Sequence, residues 1–242
     1  MHAELLTHVV TIAASFGIGL PILRKAWRAQ DRLAALLAAS LVLDGIEWVF
    51  WAGHLYWPAS NPGVSDGFAT ACRLTISAAV LCMGFFTWLT FRSESRTAAI
   101  ALWASLAAMA VGFFGSGTLG DWRGFRSDHP WIWMEVTAQI FIYGWTCMES
   151  LLYHHKLRKR VALGLTDAVL ANKFLLWGFY AGGYFVSQTL FGVALAGPDG
   201  YTNLDPLSIV LTLTGMGALW LAFFPPDAYA AWLRSEPLSR DT

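Results

Sequence analysis

The sequence predicts an all-α membrane protein, a seven-transmembrane-helix bundle with its N-terminus outside and its C-terminus cytoplasmic. Three observations lead there. Apolar segments long enough to cross a bilayer fill most of the 242 residues. Hydrophobic residues make up 56% of the chain and charged residues only 13%, against about 25% charged in an ordinary soluble domain. Basic residues collect in alternate loops.

Crossing a ~30 Å hydrocarbon core takes about 20 apolar residues at the helical rise, and this length sets the spans. The first runs from Glu4 to Leu23; no basic residue precedes it and no small-residue cleavage pattern ends it, so it reads as a retained helix rather than a signal peptide. The second runs from Leu33 to Trp57, the third from Gly67 to Phe91, the fourth from Thr97 to Leu119 and the fifth from Trp131 to Tyr153. The sixth, Asp167 to Ala196, opens on Thr166 and Asp167, either of which can cap free backbone amides. The seventh, Pro206 to Phe224, is stopped by Pro225 and Pro226. Between them lie only short loops, with no linker, low-complexity stretch or internal repeat, so residues 1–242 read as a single domain.

Charge sets the orientation. Arg24, Lys25, Arg28 and Arg32 lie between spans one and two, Arg92 and Arg96 between three and four, Lys156, Arg158, Lys159 and Arg160 between five and six, and Arg234 and Arg240 after seven. The opposite loops carry Arg123 and Arg126 with the acids Asp66, Asp121, Asp128, Asp199 and Asp205. The positive-inside bias then puts the first set in the cytoplasm, as expected for a multi-pass protein of a bacterial inner membrane. Of the thirteen tryptophans, Trp27, Trp57, Trp122, Trp131 and Trp232 fall near span ends, where an aromatic belt belongs.

Charges inside a span cost several kcal/mol unless paired or hydrated, which makes them the informative positions. On span two, Ser40, Asp44, Glu47, Trp51 and His54 follow the i, i+4, i+7 pattern and share one face. Span five repeats it with Glu135, Gln139, Ile142, Thr146 and Glu149, and span six with Lys173, Trp177, Tyr180, Tyr184 and Ser187. Span three adds Arg73 and Ser77, and span seven Ser208 and Thr212. Lipid cannot solvate these stripes, so they are expected to turn inward around a polar core. Arg73 and Glu135 each lie about six residues, roughly 9 Å, below the outer boundary, and pair on that basis, with Glu47 a second acceptor within an arginine's reach. Glu149 and Lys173 form an expected inner ion pair, and Asp44 is left without a cation. The plain alternative is that these groups only hold the bundle together.

His8, His54 and His129 all map to outer helix ends near carboxylates, a donor set for zinc or copper, although no two share i, i+4 spacing on a helix. Cys72, Cys82 and Cys147 fall inside spans and read as packing residues. Catalysis has no positive mark: span seven lacks the histidines of seven-helix zinc hydrolases, no paired histidines lie deep enough for haem, and neither Gly-x-Ser-x-Gly nor Gly-x-Gly-Asp occurs. Span seven also lacks the lysine that holds a covalent retinal, and Lys173 lies on span six near the cytoplasmic side, so no such chromophore is expected.

Two stretches, Thr166-Asp-Ala-Val-Leu-Ala-Asn-Lys-Phe-Leu-Leu-Trp-Gly178 and Leu221-Ala-Phe-Phe-Pro-Pro-Asp-Ala-Tyr-Ala-Ala-Trp-Leu-Arg234, resemble the seven-helix membrane sensor modules of bacterial histidine kinases and nucleotide cyclases. The resemblance implies a bundle that perceives a stimulus and passes it down its last helix. No effector follows here, so output would go to a separate cytoplasmic protein docking on the basic loops. The expectation is therefore a receptor-like protein in the lipid bilayer, with a small ligand of unknown identity held by Asp44, Glu47, Trp51, Arg73, Ser77, Glu135, Gln139, Tyr180 and Tyr184. Two other readings stay open: an accessory subunit of a larger membrane complex holding pigment or lipid, and a proton- or ion-coupled transporter. No nucleic-acid partner is expected.

Overall fold

A computed structural model describes residues 2–56, 62–122, 128–197 and 206–235. Trp57, Arg123, Arg126, Asp199, Asp205 and Arg240, used above, lie outside them. Among the described residues the only regular elements are helices: α1 (His2–Ala29), α2 (Arg32–Tyr56), α3 (Pro62–Phe91), α4 (Arg96–Thr118), α5 (Pro130–Ala162), α6 (Ala168–Ala196), α7 (Pro206–Phe223) and α8 (Asp227–Ser235). Four of them, α1 to α4, are long and apolar enough by composition to cross a membrane, and α7 holds a shorter apolar stretch. Helices α5 and α6 are 33 and 29 residues long, but carboxylates, Lys173, glycines and tyrosines dilute their apolar character.

Local chemistry explains the boundaries. Between α1 and α2, Gln30 takes a positive φ of 54°, and the Asp31 carboxylate accepts the amides of Leu33 and Ala34 at 3.1 and 3.0 Å, capping α2. Helices α4 and α5 both end in a glycine with φ near +70°, Gly120 and Gly164, a conformation that costs glycine nothing. In each case the next residue's amide reaches back five positions, Asp121 to the Ser116 carbonyl at 3.0 Å and Leu165 to that of Arg160 at 2.9 Å, which is the Schellman closure. Ser95 caps α4, and Asp167 caps α6.

Several elements exceed the sequence expectation: α1 runs to Ala29 rather than Leu23, and α3 begins at Pro62 rather than Gly67. Helix α5 runs to Ala162 rather than Tyr153, because charged residues continue a helix in water as readily as apolar ones in lipid, and nothing breaks it before Gly164. The prolines after α7 do not end helical structure; the Pro226 carbonyl accepts the Ala230 amide at 3.0 Å and starts α8.

Helices α1, α2, α3, α5, α6 and α7 pack in that order around a closed ring, α7 returning to α1. Helix α4 stands outside, against α5 and, less extensively, α3. Its outward residues Ile100, Trp103 and Phe114 are all exposed, as lipid-facing side chains would be. Inside the ring, Leu41, Val80, Met83, Ile142, Trp177 and Leu219 belong to one continuous core.

Candidate functional site

The polar groups inside this ring fall into three clusters on different helices. The outermost is built on Arg73 of α3. Its Nε donates to Glu135 Oε2 of α5 at 2.8 Å, and Nη2 lies 2.6 Å from the same oxygen. Nη1 donates to the Asp121 and Trp122 carbonyls, both at 3.3 Å, and Nη2 to the Gly112 carbonyl at 3.3 Å and Ser116 Oγ at 3.1 Å. The Phe113 ring lies 5.0 Å from the guanidinium carbon. Glu135 Oε1 takes a proton donor from Ser77 at 3.0 Å and a long contact from Gln139 at 3.5 Å. Arg73 and Glu135 are both buried. The acceptors on α4 sit at its C-terminal end, where the helix dipole favours a cation. Every arm of the guanidinium is thus engaged by protein, so this cluster is a clamp joining α3, α4 and α5 rather than an open binding site.

The second cluster is built on Asp44 of α2, 1% exposed. Ser15 Oγ of α1 donates to Oδ2 at 2.8 Å, and Tyr184 Oη of α6 donates to Oδ1 at 2.9 Å. The Tyr184 ring stacks on Tyr143 of α5 at 5.0 Å and 30°, and lies 4.9 Å from Tyr180. One turn further along α2, the partly buried Glu47 accepts a long thiol contact from Cys72 of α3, at 3.5 Å. Among the described residues, no basic group comes within ion-pair distance of either carboxylate. The approach of α1 to α2 depends on Gly45, where a Cβ would stand 3.1 Å from the Ser15 Cβ and 3.2 Å from the Phe16 ring.

The third cluster corrects an expectation. Glu149 does not pair with Lys173; it accepts Arg92 Nε at 2.7 Å and Trp145 Nε1 at 3.3 Å. Arg92 follows α3 directly and reaches α5, whereas the Lys173 ammonium sits over the Phe223 ring of α7, 4.0 Å from its centroid. Beside this pair, Thr87 and Thr146 share a hydrogen bond of 2.7 Å.

The proposed histidine metal set does not assemble either. His8 packs against Trp48 and Tyr56, His54 Nδ1 meets Ser65 Oγ at 2.9 Å, and His129 Nε2 lies 3.5 Å from Asp121 Oδ2. Each imidazole is committed to different neighbours, and among the described residues no group of three or more His, Cys, Asp or Glu side chains is placed to hold a metal ion.

Of the residues singled out from the sequence, Arg73, Ser77, Glu135 and Gln139 meet in the first cluster and Asp44, Tyr180 and Tyr184 in the second, with Glu47 beside it. Trp51 lies apart, next to the His54 ring at 5.4 Å. Sequence reasoning missed Ser15, Tyr143, Cys72, Ser116 and Arg92. Ser15 was findable, since His8, Thr11 and Ser15 fall at i, i+3, i+7 and so share one face of the first span. Tyr143 completes the i, i+4, i+8 series of Glu135 and Gln139. No protein-family model, curated protein or solved structure matches the chain.

Proposed function

We propose that this chain is a receptor-like, sensory seven-span protein of a bacterial inner membrane, N-terminus outside, which binds a small ligand in its polar core and signals to a separate cytoplasmic partner. The observation that supports it best is the Asp44 carboxylate, buried with no cation beside it among the described residues and bridged by hydroxyls to two other helices. A core with carboxylates and phenols and, among the described residues, no free cation is complementary to a ligand that brings a positive charge or hydrogen-bond donors. Such a ligand would compete with Ser15 and Tyr184 for Asp44, and so bias the position of α6 relative to α1 and α2. At its other end α6 is tied to α8, by Asn172 Nδ2 donating to Tyr229 Oη at 2.8 Å and by Arg234 to Asp167 at 3.1 Å. Movement of α6 would therefore reach the basic, partner-facing side.

The test is binding of a panel of small organic amines to the protein in lipid nanodiscs. Removing one charge-assisted contact by Asp44→Asn is expected to weaken a genuine ligand about 10- to 100-fold. Unchanged affinity in Asp44→Asn and Glu47→Gln would exclude this core as the site. Cysteine-accessibility mapping of the loops tests the seven spans and their orientation.

A further inference from the structure

On one exposed face of α1, Leu20, Pro21, Arg24, Lys25, Arg28 and Ala29 line a shallow groove that is largely open. Leu20 to Arg28 follow helical spacing, so the groove is apolar at one end and carries three cations at the other, over about 12 Å of helix. All three basic side chains are exposed, and among the described residues none is in an ion pair with a carboxylate. The nearest acid in sequence, Asp31, spends one carboxylate oxygen capping α2. Trp27, largely exposed beside the three cations, has the place of an interfacial anchor.

Three like charges on one exposed face of α1 repel one another unless an anion lies among them. We infer that this groove is a binding site for an anionic glycerophospholipid, its phosphate held by Arg24, Lys25 and Arg28 and an acyl chain lying along Leu20 and Pro21. Basic pockets at the ends of membrane helices recognise headgroups in this way, at about a factor of five per basic residue.

The test uses the full chain in nanodiscs of phosphatidylglycerol mixed with phosphatidylcholine, followed by release into detergent and native mass spectrometry. The wild type is expected to retain phosphatidylglycerol in preference to phosphatidylcholine. The variant R24Q/K25Q/R28Q should bind it on the order of 100-fold more weakly, while K156Q/R158Q/K159Q, which removes as many charges from the end of α5, should retain it. Equal retention by the first variant, or loss in the second to the same degree, would overturn the site. Displacement of the lipid by millimolar inorganic phosphate would also overturn it, since a free anion would then suffice and the apolar end would play no part. Should the triple variant fail to insert, R24Q and R28Q singly, each expected to weaken retention about fivefold, answer the same question.

Discussion

Arg73 and Glu135 pose a choice that their surroundings decide. Taking two ions out of water costs several kcal/mol each, and the return depends on how completely the remaining donors are satisfied. Here carbonyls at the end of α4, Ser116 and Ser77 complete the set. Arg73→Ala should therefore destabilise the protein by about 3–5 kcal/mol, by stranding Glu135. Arg73→Met with Glu135→Leu should cost less than either single change, measured by denaturant unfolding in mixed micelles; equal costs would mean that the pair is not coupled. Tyr184→Phe, which leaves Asp44 one donor short, should cost about 1–3 kcal/mol. Both acids were visible in the sequence because a charge in an apolar span has to be explained. The partners of Glu149 were not, because Arg92 sits at a loop and looked solvated, while only the rotation of α6 reveals that Lys173 faces Phe223.

Helices meet closely where glycine permits, and Gly112 shows the tightest consequence for the clamp. A Cβ there would fall 2.6 Å from the Trp131 carbonyl, a backbone atom that cannot step aside. Gly112→Ala should force α4 from α5, costing about 1–3 kcal/mol and loosening Arg73's hold on the same residue's carbonyl; amide exchange in α4 would report it. At the opposite extreme, the link from α8 to α6 is exposed and weak. The Val169 amide and the Arg234 guanidinium hold the Asp167 carboxyl below the usual carboxylate range. A group whose folded value is depressed contributes stability above its unfolded value and loses it as pH falls through the folded one. The α8 tether should accordingly persist at neutral pH and fade only in strong acid, and Arg234→Ala should change stability by less than about 1 kcal/mol. A two-probe fluorescence distance between α6 and α8, followed against pH, checks both. Helix positions were legible because apolar runs of this length have few alternatives. The onset of α8 was not, since paired prolines stop one helix and can equally precede the next.

At the scale of the molecule, the ring order and the place of α4 outside it could not be read from the chain. Helices α1 to α4 are apolar on most sides, so hydrophobic pattern alone does not tell the outer α4 from the inner ones, and the decisive contacts join residues as distant as Asp44 and Tyr184. That bond spans the ring, so locking α2 to α6 by an engineered disulfide near it should suppress any ligand-linked movement of α8; a distance change that survives the lock would refute transmission through α6. The guanidinium clamp also has a consequence for biogenesis. When α3 is first threaded toward the bilayer by the ribosome, the backbone oxygens of residues 112, 121 and 122 and the carboxylate of residue 135 have yet to be synthesised. A lone arginine in a nascent span is poorly accepted by lipid, so on the seven-span reading α3 is expected to be held at the insertion machinery until α4 and α5 follow, and the three to enter the bilayer together.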